Sequence, residues 1–337
     1  MSRPTIKTVA RLAGVSVGSV SNVLAGKGHV GADVRQQVLR AVAETGYRPN
    51  AVAASLRSQR SRSIGLCIPD LGNPFFSQLQ RRINDATEAD GYELIIAETR
   101  EDGSREAEKI AALCAHQIDG LMIVPTAGWR GELPEGVASV LIDRGGDFGL
   151  RAPLVTLDNE AAGAACFAHL RALGHRRIWM VVNTLSLWNS AKRVEGFLRA
   201  AEGAGLRGEV QAIEGGMTAL DMCRTVHARL GAGPVPDAIL TGSGNMTLGA
   251  LRALQEAGLR AGDDVALMGF DDSSWMEVLR PSISVLRQPT EAIAQKAWDL
   301  LHAQVRGEEV APVHHRLGGV IIARDSAPPT ISGDRHG

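Results

Sequence analysis

Apolar positions in the first 46 residues recur at helical spacing in three blocks. Thr5 can cap a helix from Ile6 to about Ala13, with Val9 and Leu12 on one face, and Gly14 breaks it. Ser16 can cap a second helix, Val17 to Leu24, that turns Val20, Val23 and Leu24 inward. Beyond an AGKGHVG loop, a third helix starts at Asp33 or a neighbour, packs Val34, Val38, Leu39 and Val42, and closes at Gly46. Two short helices joined by a glycine turn have helix-turn-helix spacing. Ala10 must then be small at the crossing, Gly14 takes positive φ, and Val20 plugs the gap. A generic three-helix bundle fits the same pattern. In the next stretch, GYRPNAVAASLRS, Pro49 disfavours helix at the residue before it, and Asn50 can cap a short helix over Ala51 to Arg57. Two turns are marginal alone in water, so this helix needs a partner surface, and Leu56 is its largest apolar group. The Arg/Ser-rich stretch 57–63 reads as a linker.

From Ser63 the pattern changes. Short apolar runs at 64–70, 92–99, 120–126, 139–143, 154–158, 176–182, 238–242 and 264–272 alternate with helical patterns such as 76–90 and 105–116. Such βαβ alternation predicts parallel sheets covered on both faces, and some 260 residues exceed one comfortable sheet, so two lobes are expected. Ligands of open α/β sheets bind beyond the carboxyl ends of the strands. That rule selects Asn73, Phe75, Phe76, Trp129, Asp143, Arg144, Trp188, Asn189, Arg193, Asp271, Asp272 and Trp275. Flat aromatic faces with Asp, Asn and Arg suit a sugar or another small polyhydroxylated or heterocyclic ligand. Phe76 as core and Trp129 as a surface cover are the competing readings.

Composition adds two constraints. With 45% hydrophobic and 22% charged residues among 337, the chain is neither disordered nor fibrous. No apolar run is long enough to span a membrane and the N-terminus lacks a signal-peptide core, so a cytoplasmic protein is expected. Cys67, Cys114, Cys166 and Cys223 are too scattered for a zinc site and read as free thiols in a reducing compartment; no metal or cofactor is expected. The net charge of −1 conceals an asymmetry: residues 1–62 carry ten Lys or Arg against Asp33 and Glu44, a net +8, leaving −9 on the rest. A basic module for a polyanion on an acidic body follows, with a merely solvated basic surface as the alternative.

With TIKTVARLAGVSVGSVSNVLAGKGHV, GYRPNAVAASLRS and the body motifs NPFF, LDNE, RVEGF and GFDD, the chain resembles the LacI/GalR family of bacterial transcription regulators over nearly its whole length. The resemblance implies a helix-turn-helix head (1–46), a hinge helix and linker (47–62), and a two-lobed periplasmic-binding-protein-like (type I) body with parallel sheets (63–325). Its lobes would be about 63–159 with 289–318, and 160–288 with 319–325, crossing near Asn159–Glu160, Gln288–Pro289 and Gly318–Gly319. SAPPTISGDRHG, 326–337, reads as a disordered tail without heptads for tetramerisation.

A homodimer on a near-palindromic operator in double-stranded DNA is implied. Val17, Gly18, Ser21 and Asn22 face away from the apolar side of the second helix, and family base contacts map onto Val17, Gly18 and Asn22. Arg commonly stands where this chain has Asn22; Asn pairs with adenine where Arg pairs with guanine, so an altered half-site is expected. Ser16, Ser19, His29 and Asn50 are candidates for phosphate contacts, with local helix caps as the rival reading of the hydroxyls. Ala53 and Leu56 map to the minor groove, Leu56 as the wedge. For the effector, the resemblance implies Phe75 and Phe76 beside it and polar contacts from Asp143, Arg193 and Asp271, with Asp158 orienting that network. Ser243-Gly244 replace the family's usual Asn-Asp, so one effector bond is lost or passes to Ser243 or Asn245. Catalysis finds little support: TGSGN lacks a P-loop lysine and no GxSxG elbow occurs. An exported binding protein would share the body but not the head, and a head that no longer reads DNA is the remaining alternative.

Overall fold

The computed structural model describes residues 4–24, 30–47, 61–146 and 150–330. His29, Asn50, Ala53, Leu56, the expected hinge helix and the last seven residues of the expected tail therefore lie outside the described residues. Contacts divide the chain into two units, 1–62 and 63–337.

In the first unit, α1 (Ile6–Ala13) is capped by Thr5, whose side chain accepts from Thr8 N in a capping box, and stops at Gly14 in the left-handed region. Gly14 and Val15 return the chain into α2 (Val17–Leu24), and α3 (Ala32–Thr45) ends at left-handed Gly46. Val9, Ala10, Val20, Val23, Val38 and Ala41 form the shared core. Leu12 and Leu39 are corrections to the expected inward faces: they are 49% and 50% exposed, because the bundle closes on Val9 and Val38 instead.

The second unit contains two sheets with every covered face apolar. The first has strand order β11-β5-β4-β3-β1-β2, built from β1 (Ser63–Ile68), β2 (Glu93–Glu98), β3 (Gly120–Ile123), β4 (Ala138–Ile142), β5 (Leu154–Leu157) and β11 (His314–Leu317), all parallel. Alternation sends Ile64, Leu66 and Ile68 against α4 (Pro74–Ala89) and α11 (Thr290–Val305), and Cys67 against α5 (Gly103–Ala115). The second sheet has order β12-β10-β9-β8-β6-β7, from β6 (Ile178–Val182), β7 (Gln211–Glu214), β8 (Ala238–Thr241), β9 (Ala266–Phe270), β10 (Ser284–Arg287) and β12 (Val320–Ile322). Only β12 runs antiparallel, against β10. α6 (Asn159–Ala172) and α7 (Trp188–Gly203) cover one face; α8 (Ala219–Ala232) and α9 (Gly244–Glu256) cover the other, and α10 (Ser274–Val278) follows β9.

The chain passes between sheets three times: between β5 and α6, between β10 and α11, and between β11 and β12. Strands β7, β10, β11 and β12 had no separate signal in the apolar pattern: β7, β11 and β12 are edge strands, of which β7 buries one residue in four, and β10 is only four residues long. The tail reading is corrected over 326–330. Ser326 is fully buried, donating to Leu267 O and accepting from Ser284 N, and Thr330 N donates to Leu173 O. These bonds cap open backbone at the end of the second sheet, so a Pro-rich composition does not leave the segment free.

Candidate functional site

Strand ends of both sheets contribute to one cavity of about 360 Å³. From the first sheet come Asn73, Phe75 and Phe76 after β1, Arg100 and Glu101 after β2, and Asp143 and Arg144 after β4. The second sheet contributes Asn183, Asn189 and Arg193 after β6, Met217 after β7, Ser243 and Asn245 after β8, Asp271 after β9 and Gln288 after β10. Phe76 satisfies both readings of the sequence, since it lines the cavity and belongs to the core beneath it, as Phe75 also does.

Four sequence candidates are displaced. Asp158 accepts from Ala161 N as the cap of α6 and faces a surface hollow with Glu160 and Arg199; its neighbour Asn159 holds Arg193 instead. Trp188 turns back against Gly145 and the His314 ring, 5.7 Å away, and Trp275 packs partly under the second sheet. Trp129, likewise, packs on the α5 side of the first sheet. Glu101, Asn183, Met217 and Gln288 were missed: none stands in an aromatic or motif context, and only strand order brings them here.

The polar geometry is tight. Arg193 is 3% exposed. Its Nε donates to Asn159 Oδ1 at 2.7 Å, its Nη1 to Gly242 O at 2.6 Å, and its plane lies over the Phe270 ring at 4.5 Å. Arg144 donates both Nη atoms to Glu101, at 2.7 and 2.8 Å, and stacks over Phe76. Asp143 accepts from Asn189 Nδ2 at 3.1 Å, while Asp271 accepts from Gln288 Nε2 at 2.7 Å and Gly244 N at 3.3 Å. Asp143 and Asp271 sit at φ of 65° and 66°, and Arg100 and Glu101 at 56° and 57°, left-handed values that non-glycine residues hold only when their surroundings enforce them. Four buried atoms of cavity-lining residues, Asp143 Oδ1, Arg144 Nε, Arg193 Nη2 and Gln288 Oε1, have no hydrogen-bond partner among the described residues. Buried polar atoms are normally paired, so this group points to a ligand with hydroxyl-like donors and acceptors.

Burial raises Asp143 and Asp271 above the usual carboxylate range, against the pull of Arg144 and Arg193 on the first and of Arg193 and Gln288 on the second. Burial likewise raises Glu106, which accepts from Thr126 N and Oγ1. The Arg193 guanidinium is pushed down by burial, with Asp271 and Asp143 opposing. Burial also works against Arg144, but Glu101, Asp143 and Glu106 together outweigh it and hold Arg144 above its ordinary value. A carboxyl with a raised folded pKa binds its proton more tightly when native. Its stabilisation is therefore present at low pH and lost as pH rises from the unfolded through the folded value. We expect the urea midpoint of the protein to fall as pH rises above the ordinary carboxylate range. The variant Asp143→Asn/Asp271→Asn should fall less over that rise; equal slopes would place the titration elsewhere.

In the head, Asn22 and Gly18 are exposed, Val17 is 37% exposed and Ser21 is half-buried on α2. Ser16 Oγ accepts from Ser19 N at 3.0 Å and lies 2.9 Å from Ser19 Oγ, so the local cap is present at Ser16. No helix among the described residues is long and apolar enough to cross a membrane.

Residues 5–50 match the family model of bacterial regulatory proteins, lacI family, and residues 167–327 match a periplasmic binding protein-like domain. The HTH-type transcriptional regulator PtxS of Pseudomonas putida is 33% identical over 333 residues, covering 97% of this chain and 97% of that protein. The solved lac repressor dimer bound to operator and the anti-inducer ONPF is similar with a TM-score of 0.84 at 26% identity, covering 97% of this chain and 100% of that one. The transcriptional regulator CelR in complex with cellobiose is similar with a TM-score of 0.70 at 27% identity, covering 96% of this chain and 100% of that one. With a helix-turn-helix head, a two-sheet body of parallel strands and relatives at this level along nearly its whole length, the chain belongs to the lacI family of DNA-binding transcriptional regulators.

Proposed function

We propose that this protein is a homodimeric repressor whose affinity for a near-palindromic operator is switched by a small polyhydroxylated effector held in the cavity of the body. The carrying observation is the set of unpartnered buried atoms around that cavity, attached to a chain with a basic helix-turn-helix head. The lac repressor structure with operator and the CelR structure with cellobiose support the same division of labour. In this reading Val17, Gly18, Ser21 and Asn22 meet base edges, Ser16, Ser19, His29 and Asn50 meet phosphates, and Ala53 with Leu56 enters the minor groove. The effector shifts the equilibrium only as far as its affinity differs between the two body states. Genomic fragments selected on the full-length protein, with and without a metabolite extract, test it. A recovered near-palindrome whose yield changes with extract supports the proposal; sequence-independent recovery in both arms refutes it.

Gly18 provides a finer test. A Cβ there would meet only Ser16 Oγ, at 3.5 Å, an ordinary contact. Gly18→Ala should therefore stabilise the head by about 0.5 kcal/mol, read by thermal melting. A simultaneous loss of operator affinity would show that the backbone approaches DNA at this position, and unchanged affinity that position 18 is unread.

A further inference from the structure

Resting on the reading that a small effector fills this cavity, we infer that the effector is an uncharged, hydroxyl-rich molecule and that Glu101 is the residue that excludes its acidic counterparts. Three guanidinium groups line the cavity; that of Arg100 is exposed and pairs with Glu98 at 3.4 Å, and the two buried ones are already engaged. Arg144 presents the planar fork that ordinarily grips a carboxylate or phosphate through two parallel bonds, but Glu101 occupies both its Nη atoms at 2.7 and 2.8 Å. Arg193 spends Nε on Asn159 and Nη1 on Gly242 O, leaving Nη2 alone, enough for one oxygen and not for a two-point clamp.

The remaining demand is for both donors and acceptors: Arg144 Nε and Arg193 Nη2 call for an acceptor, and two buried acceptors call for a donor. Gln288 must turn its amide nitrogen to Asp271 Oδ1, at 2.7 Å, which leaves Oε1 as an acceptor without a partner. Asp143 Oδ1 is a second such acceptor. A hydroxyl donates to either and accepts from Arg193 Nη2 in the same geometry, whereas an ionised acid or phosphate oxygen can only accept. Charge points the same way. The four carboxylates and three guanidiniums of the lining sum to a formal −1, so an anionic ligand adds like charge to a buried site. Replacing Glu101 would release the Arg144 fork and remove one negative charge together.

Full-length protein dialysed against an equimolar mixture of aldoses and alditols, the aldonic acids of the same skeletons and their phosphate monoesters tests this, with retained compounds identified by mass spectrometry. The expected result is retention of an uncharged member, its aldonic acid discriminated against by about tenfold or more. Retention led by an acid or phosphate ester overturns the inference while leaving the cavity as an effector site; retention of no compound overturns the effector reading itself. Glu101→Gln, its fold checked by circular dichroism, should gain the acid relative to the uncharged ligand by about tenfold. Arg144→Gln, lacking the fork, should not gain it. Unchanged discrimination in Glu101→Gln, or an equal gain in Arg144→Gln, removes Glu101 from the role.

Discussion

Gly196→Ala is expected to cost the body about 3 kcal/mol or more and to release Arg193 from its cavity position. Helices α6 and α7 meet backbone to backbone: a Cβ at Gly196 would lie 1.9 Å from Glu160 O, and one at Gly163 would lie 2.0 Å from Arg193 O. Real Cβ atoms keep at least 3.0 Å, and backbone cannot rotate away as a side chain can, so the helices must part by more than about 1 Å. Arg193 lies one turn before Gly196 on α7, and its 2.7 Å bond to Asn159 crosses the same helix pair. The separation therefore reaches the cavity as well as the core. Urea denaturation of the variant measures the first effect. Gly203→Ala is the control, because nothing stands within 4 Å of a Cβ there on the same helix. Alanine at 203 should be neutral or stabilising by about 0.5–1 kcal/mol; equal losses at both positions would refute the close-approach account.

Arg193→Met should abolish the response to effector while leaving operator binding without effector in place. Removing the guanidinium leaves Asn159 Oδ1 and Gly242 O unpaired in a buried site and lets Asp143 and Asp271 face each other without a cation, raising the cavity charge from −1 to −2. Bonds to a charged group contribute about 1.5–3 kcal/mol each, so loss of the Nη2 contact alone predicts an effector affinity lower by about 10- to 150-fold. A stability loss of about 1–3 kcal/mol accompanies it, moderated because the variant no longer buries the charge itself. Fluorescence anisotropy on operator DNA, titrated with the compound retained in dialysis, reads both halves. An unaltered response would remove Arg193 from the effector site.

These two expectations draw on different kinds of information. Thr5, Ser16, Gly14 and Gly46 are legible in the chain as caps and breaks, because a helix end is decided by hydrogen bonds within a few residues. The strands buried on both faces are legible for a similar reason: nothing polar can interrupt Ile64–Ile68 or Ile178–Val182 when helices cover both sides. The motif-borne cavity residues Phe75, Phe76, Asp143, Arg193 and Asp271 could be picked out because strand ends are where α/β sheets expose side chains.

What the local pattern did not contain is direction and long-range order. Asp158 and Asn159 are adjacent and equally polar, yet the first caps α6 and the second holds Arg193, a division set by how α6 leaves β5. Trp188 begins α7 one residue before Asn189, and the helix rotates it away toward His314 while bringing Asn189 to Asp143. Glu101 and Gln288 come from the ends of strands in different sheets and become neighbours of one cavity only through the strand order and the three crossings. By itself, then, the sequence determined the helix ends, the buried strands, the charged head and the family. The tertiary structure alone decided which polar atoms are spent on one another and which remain for a ligand, because hydrogen-bond satisfaction in a buried site is a property of all the chain segments that enclose it.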